Sequence, residues 1–264
     1  MKDSNMKQTA IQAVKEAGKL LLERFEKLDR KKIKFKSKHE ILTSLDLQVE
    51  KVILNIIKKK YPDHHILSEE SGEIGPKSDY LWIIDPLDGT TNYSMGNPLF
   101  NVSLALAYKN ELILGIVNAP YLKELYISEK GKGAFLNGKK IKVSQINKLP
   151  KALLTFCHGS KEKDIKRTIK IYQHFKLSGF DMRQLGSAGL ELSYVARGST
   201  EAIMIPGTHL WDVAAGTLIV REAGGKVTDF QGKEWSLKSR DILASNDCLH
   251  SQIIKIINKI EKDD

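Results

Sequence analysis

Apolar residues recur along the first sixty positions with the spacing of two helices. Residues 5–28 repeat apolar side chains near the helical period, which predicts an amphipathic helix. Residues 43–60 do the same, and the Tyr-Pro pair that follows them ends this second helix. Between the two helices, residues 32–36 alternate Lys with apolar residues, which is typical of a strand with one exposed face. We expect a mobile loop over residues 37–40.

The middle of the chain changes to the shorter period of β-strands. Strands are predicted over residues 100–109, 112–119, 124–128 and 133–136. Asn137-Gly138 then predicts a hairpin turn into a strand over residues 140–143. The pattern therefore predicts an antiparallel meander, and Pro150 marks the expected boundary between an N-terminal lobe (1–150) and a C-terminal lobe (151–264).

Strands and helices alternate after Pro150. Strands are predicted over residues 151–157, 182–184, 201–205 and 241–245. Helices are predicted over residues 164–175, 187–196, 212–223 and 249–260. This alternation indicates an α/β or α+β fold with layered helices and sheets, in which both lobes contribute to one cleft.

The most informative stretch is residues 81–93, LWIIDPLDGTTNY. Its apolar start predicts a buried strand that stops at Asp85, because Pro86 has no amide hydrogen for a β-ladder. Asp85 and Asp88 then lie in a tight turn, and Gly89 permits a close approach of the backbone. A short helix after Gly89 has free amides that suit a phosphate. Taken alone, the pair is equally compatible with a solvated turn in which Asp88 caps the helix.

Two further acidic clusters lie at element boundaries. Glu69-Glu70 ends an apolar segment, and Asp212 begins an apolar helix rich in small residues. Three such clusters can converge on one site. Carboxylates without nearby His or Cys ligands favour a hard cation, Mg²⁺ rather than Zn²⁺. His209, three residues before Asp212, is a further candidate for substrate contact.

Together these motifs resemble those of the inositol monophosphatase family of magnesium-dependent, lithium-sensitive phosphatases. The acidic pair, residues 82–93 and the Trp-Asp-Xaa-Ala-Ala-Gly run of residues 211–216 match the family pattern in order and spacing, over nearly the whole chain. The resemblance implies the five-layer αβαβα sandwich of the inositol monophosphatase and fructose-1,6-bisphosphatase type. It also implies a homodimer that hydrolyses a small phosphorylated metabolite.

The resemblance assigns the metal ligands residue by residue. Glu69, Asp85 and the Leu87 carbonyl would hold a first Mg²⁺, and Asp85, Asp88 and Asp212 a second. A third ion would bind more weakly, through water on Glu69. The cofactor expectation is therefore two or three Mg²⁺ ions.

Other roles follow from the same resemblance. Thr90, with Asp46 nearby, would orient the attacking water, and the amides of Gly89 and Thr90 would bind phosphate. Lys36 matches a lysine on the family's mobile catalytic loop. The residues expected to touch substrate are Asp88, Gly89, Thr90, Gly186, Ser187, Ala188, Ile205 and Asp212. Ile205 stands where the family has its inositol-recognising glutamate. Selectivity for inositol over other phosphates is therefore open, since isoleucine cannot accept hydrogen bonds from hydroxyl groups.

The substrate alternatives are those that relatives use: fructose bisphosphate, NADP, 3′-phosphoadenosine phosphate and histidinol phosphate. A different enzyme class, the haloacid-dehalogenase-like phosphatases, places one residue between its two acids, whereas two separate Asp85 and Asp88 here. A phosphate trapped on Asp85 would support that class. A third possibility is a regulatory module that binds RNA or transcription machinery, as some relatives do.

The composition of the chain limits which binding partners are expected. The chain has 42 basic and 32 acidic residues, a net charge of +10, yet only residues 30–38 are densely basic and no aromatic residues alternate with basic ones as in a single-strand binding platform. This disfavours nucleic acid as the main partner. Two cysteines give no disulfide framework, and no apolar run approaches the roughly 20 residues of a membrane span. The start of the chain lacks a signal peptide, so a cytoplasmic protein is expected.

Overall fold

Two β-sheets form the framework of the computed structural model, which describes residues 2–27 and 38–262. The strands of the larger sheet are β1 His65–Ser68, β2 Gly72–Ile74, β3 Tyr80–Asp88, β4 Asn101–Tyr108, β5 Glu111–Ala119, β6 Glu124–Glu129, β7 Gly133–Leu136 and β8 Lys139–Ile141. Their order in space is β2-β1-β3-β4-β5-β6-β7-β8. All neighbours are antiparallel except β1 and β3, which run parallel. The predicted meander is therefore present as β4 to β8.

The smaller sheet comes later in the chain. Its strands are β9 Leu153–Phe156, β10 Asp181–Arg183, β11 Ala202–Ile205, β12 Lys226–Thr228 and β13 Ile242–Ser245, in the order β10-β9-β11-β13-β12. The first three strands are mutually parallel, so their carboxyl ends lie along one edge. β13 pairs antiparallel with β11 and β12.

The helices form three layers around these sheets. They are α1 Lys2–Phe25, α2 Lys38–Lys60, α3 Thr90–Ser94, α4 Glu162–Leu177, α5 Ala188–Ala196, α6 Leu210–Glu222 and α7 Asp247–Lys262. α1 and α2 share an apolar core with one face of the larger sheet. α5 and α6 are buried between the two sheets, and α4 and α7 cover the outer face of the smaller sheet. The five-layer αβαβα sandwich is thus confirmed.

Several sequence predictions need correction. α2 begins at Lys38 rather than Thr43, so residues 38–40 are helical and not a loop; they contain neither Gly nor Pro to stop the helix. β3 continues past Pro86 to Asp88, because a shift of register between Asp85 and Asp88 leaves proline without a ladder partner. The two short strands β2 and β12 were not predicted. Predictions for residues 28–37 lie outside the described residues.

The two sheets are separated in the chain by the 3₁₀ turn Leu149–Lys151. The division into two lobes at Pro150 stays a prediction, because the middle helices α5 and α6 pack against both sheets in a single apolar core. None of the helices in the described ranges is long and apolar enough to cross a bilayer.

Candidate active site

The parallel pairing of β1 and β3 brings two acids together. Ser68 is paired with Ile84, and the amide of Glu69 donates to the Ile84 carbonyl at 3.2 Å. Glu69 therefore lies beside Asp85, close enough for its charge to raise the pKa of Asp85. The apolar run that ends in each acid explains this placement, since both strands are buried and end at the same edge.

The bulge at the end of β3 shapes the turn that carries Asp88. Asp85 Oδ1 accepts a hydrogen bond from the Leu87 amide at 3.0 Å, and pairing with β4 resumes where Asp88 lies opposite Asn101. Gly89 has φ of +90°, and a Cβ there would be 2.7 Å from the Leu99 carbonyl oxygen. Only glycine suits this position, because both the dihedral angle and the close approach exclude a side chain.

Thr90 opens α3 and turns its hydroxyl back toward the bulge. Thr90 Oγ1 donates to the Leu87 carbonyl oxygen at 2.9 Å. That carbonyl has a second lone pair, so it keeps the capacity to bind a cation. The amides of the first turn are the ones expected to bind phosphate.

The carboxylate of Asp88 is held mainly by the start of α5. Ser187 Oγ donates to Asp88 Oδ2 at 2.8 Å and the Gly189 amide donates at 2.7 Å, while the Ala188 amide donates to Oδ1 at 3.1 Å. Asn101 Nδ2 adds a bond of 2.6 Å to Oδ2. Ser187 and Ala188 were expected near the substrate; both contact this acid, and Ala188 also lines the cavity described below. Asn101 was not predicted at all.

Asp212 occupies the third position of α6. Its Oδ2 accepts from the His209 amide at 3.0 Å, in a capping box that fixes the start of the helix. The His209 ring is stacked on Trp211, with ring centroids 4.7 Å apart. His209 therefore acts in the helix cap and does not line the cavity described below.

The electrostatics of the acids show that they are near one another. Burial, then repulsion from Glu70 and Glu69, raises the pKa of Asp46 to about 7. Burial chiefly raises the pKa of Glu69 to about 6 and that of Asp212 to about 7, and Asp88 adds to both shifts. Burial also raises the pKa of Asp85 well above its usual value, and Glu69, Asp88 and Asp212 raise it further. The structure thus brings acids from β1, β3, α2 and α6 to one place.

A cavity of 550 Å³ opens beside Asp88 and Asp212. It is lined by Asp88, Thr91, Asn92, Cys157, His158, Gln184, Leu185, Gly186, Ala188, Ile205 and Asp212. Gly186, Ala188 and Ile205 lie where the sequence placed a substrate wall. Cys157, His158 and Gln184 were missed, although a signal existed: Cys157 and Gln184 follow directly after β9 and β10, and ligands bind at the carboxyl ends of parallel strands. Lys36 lies outside the described residues.

A family model, the inositol monophosphatase family, matches residues 2–262. The chain belongs to the inositol monophosphatase family. A Thermotoga maritima protein named fructose-1,6-bisphosphatase/inositol-1-monophosphatase is 38% identical over 253 residues, which is 95% of each chain. A Pasteurella multocida protein named Nus factor SuhB is 38% identical over 255 residues, covering 96% of this chain and 94% of its own.

Solved structures of the inositol monophosphatase family share this fold. The inositol monophosphatase from Anabaena (Nostoc) sp. PCC 7120 superposes with a TM-score of 0.85 and 32% identity, over 98% of this chain and 97% of its own. The match spans both sheets and all three helical layers. The fold and the family are therefore established by sequence and by structure together.

The donor set of this inositol monophosphatase family member fits hard cations. Within residues 2–27 and 38–262, no three His, Cys, Asp or Glu side chains lie close enough together to hold a metal ion as they are placed. Asp85, Asp88 and Asp212 instead accept hydrogen bonds from amide and hydroxyl donors. However, Asp46 Oδ1 is buried and has no hydrogen-bond partner among the described residues. Buried acids that raise one another's pKa, with oxygen donors alone, are chemically suited to Mg²⁺.

Proposed function

We propose that this protein is an Mg²⁺-dependent phosphatase that hydrolyses a small phosphate monoester with water, with inositol 1-phosphate as the reference substrate. The observation that carries the proposal is that Asp88 and Asp212 line a 550 Å³ cavity and lie close enough to Asp85, as does Glu69, to raise the pKa of Asp85. Divalent cations held by these residues would offset the mutual repulsion of the acids. No positively charged residue among those that line the described cavity offsets it.

The chain's own residues then have separate tasks. Glu69, Asp85, the Leu87 carbonyl, Asp88 and Asp212 would hold the ions. Bound Mg²⁺ supplies charge neutralisation for the phosphoryl oxygens and lowers the pKa of water. Thr90 and Asp46 orient a water molecule, since Thr90 Oγ1 lies against the Leu87 carbonyl and Asp46 faces Glu69 and Glu70. The amides of Gly89 and Thr90 donate to the phosphate.

The alcohol of the substrate would rest against the far wall of the cavity. Ile205, the last residue of β11, lies in that wall and is 3% exposed. Because this side chain accepts no hydrogen bonds, a broad specificity is favoured over strict selection of inositol. The double name of the Thermotoga maritima relative supports testing fructose 1,6-bisphosphate as well. NADP, 3′-phosphoadenosine phosphate and histidinol phosphate complete the panel of phosphate esters to be tested.

One experiment identifies the substrate and tests the chemistry. Phosphate release is measured for each ester of the panel with Mg²⁺, and the protein is quenched in acid during turnover. We expect release from one or more esters and no phosphate retained on Asp85. Covalent phosphate on Asp85 would replace this proposal with the haloacid-dehalogenase-like chemistry. Release from none of the esters would contradict it.

A second candidate role is binding to a transcription complex. The Pasteurella multocida relative is named a Nus factor, and this chain carries a net charge of +10. The phosphatase proposal and this role are separable, because Asp212→Asn removes the first without altering the charged surface far from the cavity. Loss of binding in that variant would tie the two together. The cytoplasmic location and the homodimer stay predictions.

A further inference from the structure

Glu191 is a buried acid that the proposed chemistry does not use. It lies in the first turn of α5 with no solvent exposure, between the core residues Leu190 and Leu192. Its Oε1 accepts three hydrogen bonds: from Cys157 Sγ at 3.0 Å, from the Leu185 amide at 3.1 Å and from the Gly186 amide at 3.0 Å. Burying a carboxylate is costly unless it is hydrogen-bonded, so a purely structural position in this core would favour an apolar residue.

The segment that Glu191 holds is clamped from its other side by Asn92. Asn92 Nδ2 donates to the Leu185 carbonyl at 2.7 Å and lies 3.3 Å from the Gly186 carbonyl oxygen. Gly186 has φ of +77°, and a Cβ there would be 3.2 Å from Asn92 Nδ2. The amides of residues 185–186 thus bond to Glu191 and their carbonyls bond to Asn92, which fixes the backbone in one conformation.

The clamped segment forms one wall of the cavity. Leu185, Gly186, Asn92 and Cys157 all line it, together with Ile205. Gly89 and Thr90, the expected phosphate donors, are not part of this lining. The wall therefore faces the alcohol part of a bound ester rather than its phosphate.

We propose that Glu191 is a positioning residue that fixes the alcohol-facing wall of the cavity and thereby sets the preference among phosphate esters. This inference rests on the proposed phosphatase function. A wall that contacts the alcohol discriminates between esters of different alcohols, whereas a change that only weakened metal binding would slow all esters by the same factor. The ratio of kcat/KM for two esters separates these effects.

The test compares inositol 1-phosphate with p-nitrophenyl phosphate in matched variants. Glu191→Leu removes all three bonds, Glu191→Asp retracts the oxygen that accepts them, and Glu191→Gln keeps a side-chain oxygen at the same distance. The control is Glu201→Leu, because Glu201 is also buried and accepts a backbone bond, from the Leu153 amide at 2.7 Å, but does not line the cavity.

We expect Glu191→Leu and Glu191→Asp to change the ratio by about fivefold or more, mainly through KM, as the loss of a hydrogen-bond network implies. Glu191→Gln should stay within about twofold of the native ratio, and Glu201→Leu should leave it unchanged. If Glu191→Leu does not fold, Glu191→Asp decides alone. A folded Glu191→Asp or Glu191→Leu variant with the native ratio would overturn the proposal.

A second readout does not depend on catalysis. In a Cys248→Ser background, Cys157 is the one remaining cysteine, and iodoacetamide modification reports on the wall that Glu191 holds. Because the Glu191 charge itself raises the pKa of the Cys157 thiol, the informative variant is Glu191→Asp, which keeps that charge; we expect faster modification of Cys157 in it than in the native background or in Glu201→Leu. An unchanged rate would show that Glu191 does not hold the wall. If the native protein released no phosphate from any ester, the proposed function would fail, while this thiol measurement would still decide the role of Glu191.

Discussion

Ser187 Oγ donates a hydrogen bond of 2.8 Å to Asp88 Oδ2, across 99 residues of chain. The bond joins the start of α5, in the middle helical layer, to the end of β3 in the larger sheet. The Ala188 and Gly189 amides and Asn101 complete the set around the same carboxylate. An acid expected to bind metal is therefore oriented by the start of a helix that follows β9 and β10 in the chain.

The first prediction tests this support. Ser187→Ala should raise the Mg²⁺ concentration that gives half-maximal activity by roughly 10–100-fold, because residues that orient a metal ligand typically change metal affinity by that factor. The measurement is phosphate release as a function of Mg²⁺ concentration. Ser193→Ala is the control, since Ser193 lies buried on the same helix and its hydroxyl donates to the Gly189 carbonyl rather than to Asp88. Equal Mg²⁺ curves for the two variants would show that Ser187 does not orient Asp88.

The second prediction separates catalysis from stability at Asp212. Burial chiefly, with Asp88 and Glu69, raises the pKa of this acid to about 7. The pKa of Asp212 is higher in the folded than in the unfolded protein, so the stability that its protonated carboxyl group contributes is lost as pH rises through about 7. At pH 8 the charged acid therefore destabilises the metal-free fold. Asp212→Asn should therefore match or exceed the native Tm in EDTA at pH 8, while kcat with Mg²⁺ falls by at least roughly 100-fold. A lower Tm would mean that Asp212 stabilises the fold rather than awaiting a cation.

The third prediction concerns Ile205. Ile205→Glu supplies a hydrogen-bond acceptor at the alcohol side and should raise kcat/KM for inositol 1-phosphate relative to other sugar phosphates. A charge-assisted bond is worth on the order of 1.5–3 kcal/mol, or roughly tenfold to a hundredfold, before repulsion from Asp88 and Asp212 reduces it. Ile205→Gln is the uncharged comparison. An unchanged ratio in both folded variants would place position 205 out of reach of the substrate.

The fourth prediction is a pH effect far from the site. Burial, then Lys226, lowers the pKa of His250 to about 4, and its ring nitrogens lie 2.7 Å from Ser245 Oγ and 2.9 Å from Thr228 Oγ1. The unfolded value is about 6.5, so the folded protein excludes a proton that the unfolded chain binds. The free energy of unfolding therefore falls by on the order of 2–3 kcal/mol as pH drops from about 6.5 toward 4.

Thermal unfolding at pH 7 and pH 4.5 tests whether His250 makes the protein less stable as pH falls. The Tm difference between the native protein and His250→Gln should shrink at the lower pH, because the variant has no imidazole to protonate. His174→Gln, at an exposed histidine on α4, serves as the comparison and should show no such change. A constant difference for His250→Gln would contradict a buried neutral imidazole.

The local pattern of apolar and polar residues was enough to predict most of the helices and strands. The amphipathic helices, the meander and the alternating segments after Pro150 follow from periodicity, and the layer order follows from the family resemblance. The prediction at Pro86 was wrong because proline excludes only its own ladder bond, and a bulge lets β3 resume at Asp88. The short strands β2 and β12 carry too few residues for a period to be visible.

Within the candidate site, the acids were visible in the sequence but their partners were not. Each acid ends or begins an element, which is a local signal. Asn101, Glu191 and Cys157 act through contacts between distant segments, such as Cys157 with Glu191 and Asn101 with Asp88. No spacing along the chain encodes those contacts, since they depend on how the two sheets pack around α5 and α6.

If these acids serve a cation-dependent phosphatase, activity follows the Mg²⁺ concentration and depends on Asp212, and one titration measures both. Metal-stripped native protein and Asp212→Asn are given Mg²⁺ in steps, with phosphate release from inositol 1-phosphate, fructose 1,6-bisphosphate and p-nitrophenyl phosphate as the readout. We expect no release in EDTA, a saturable rise with Mg²⁺ for the native protein, and at least roughly a 100-fold lower rate for the variant. Release that persists in EDTA, or equal rates for the two proteins at saturating Mg²⁺, would contradict it.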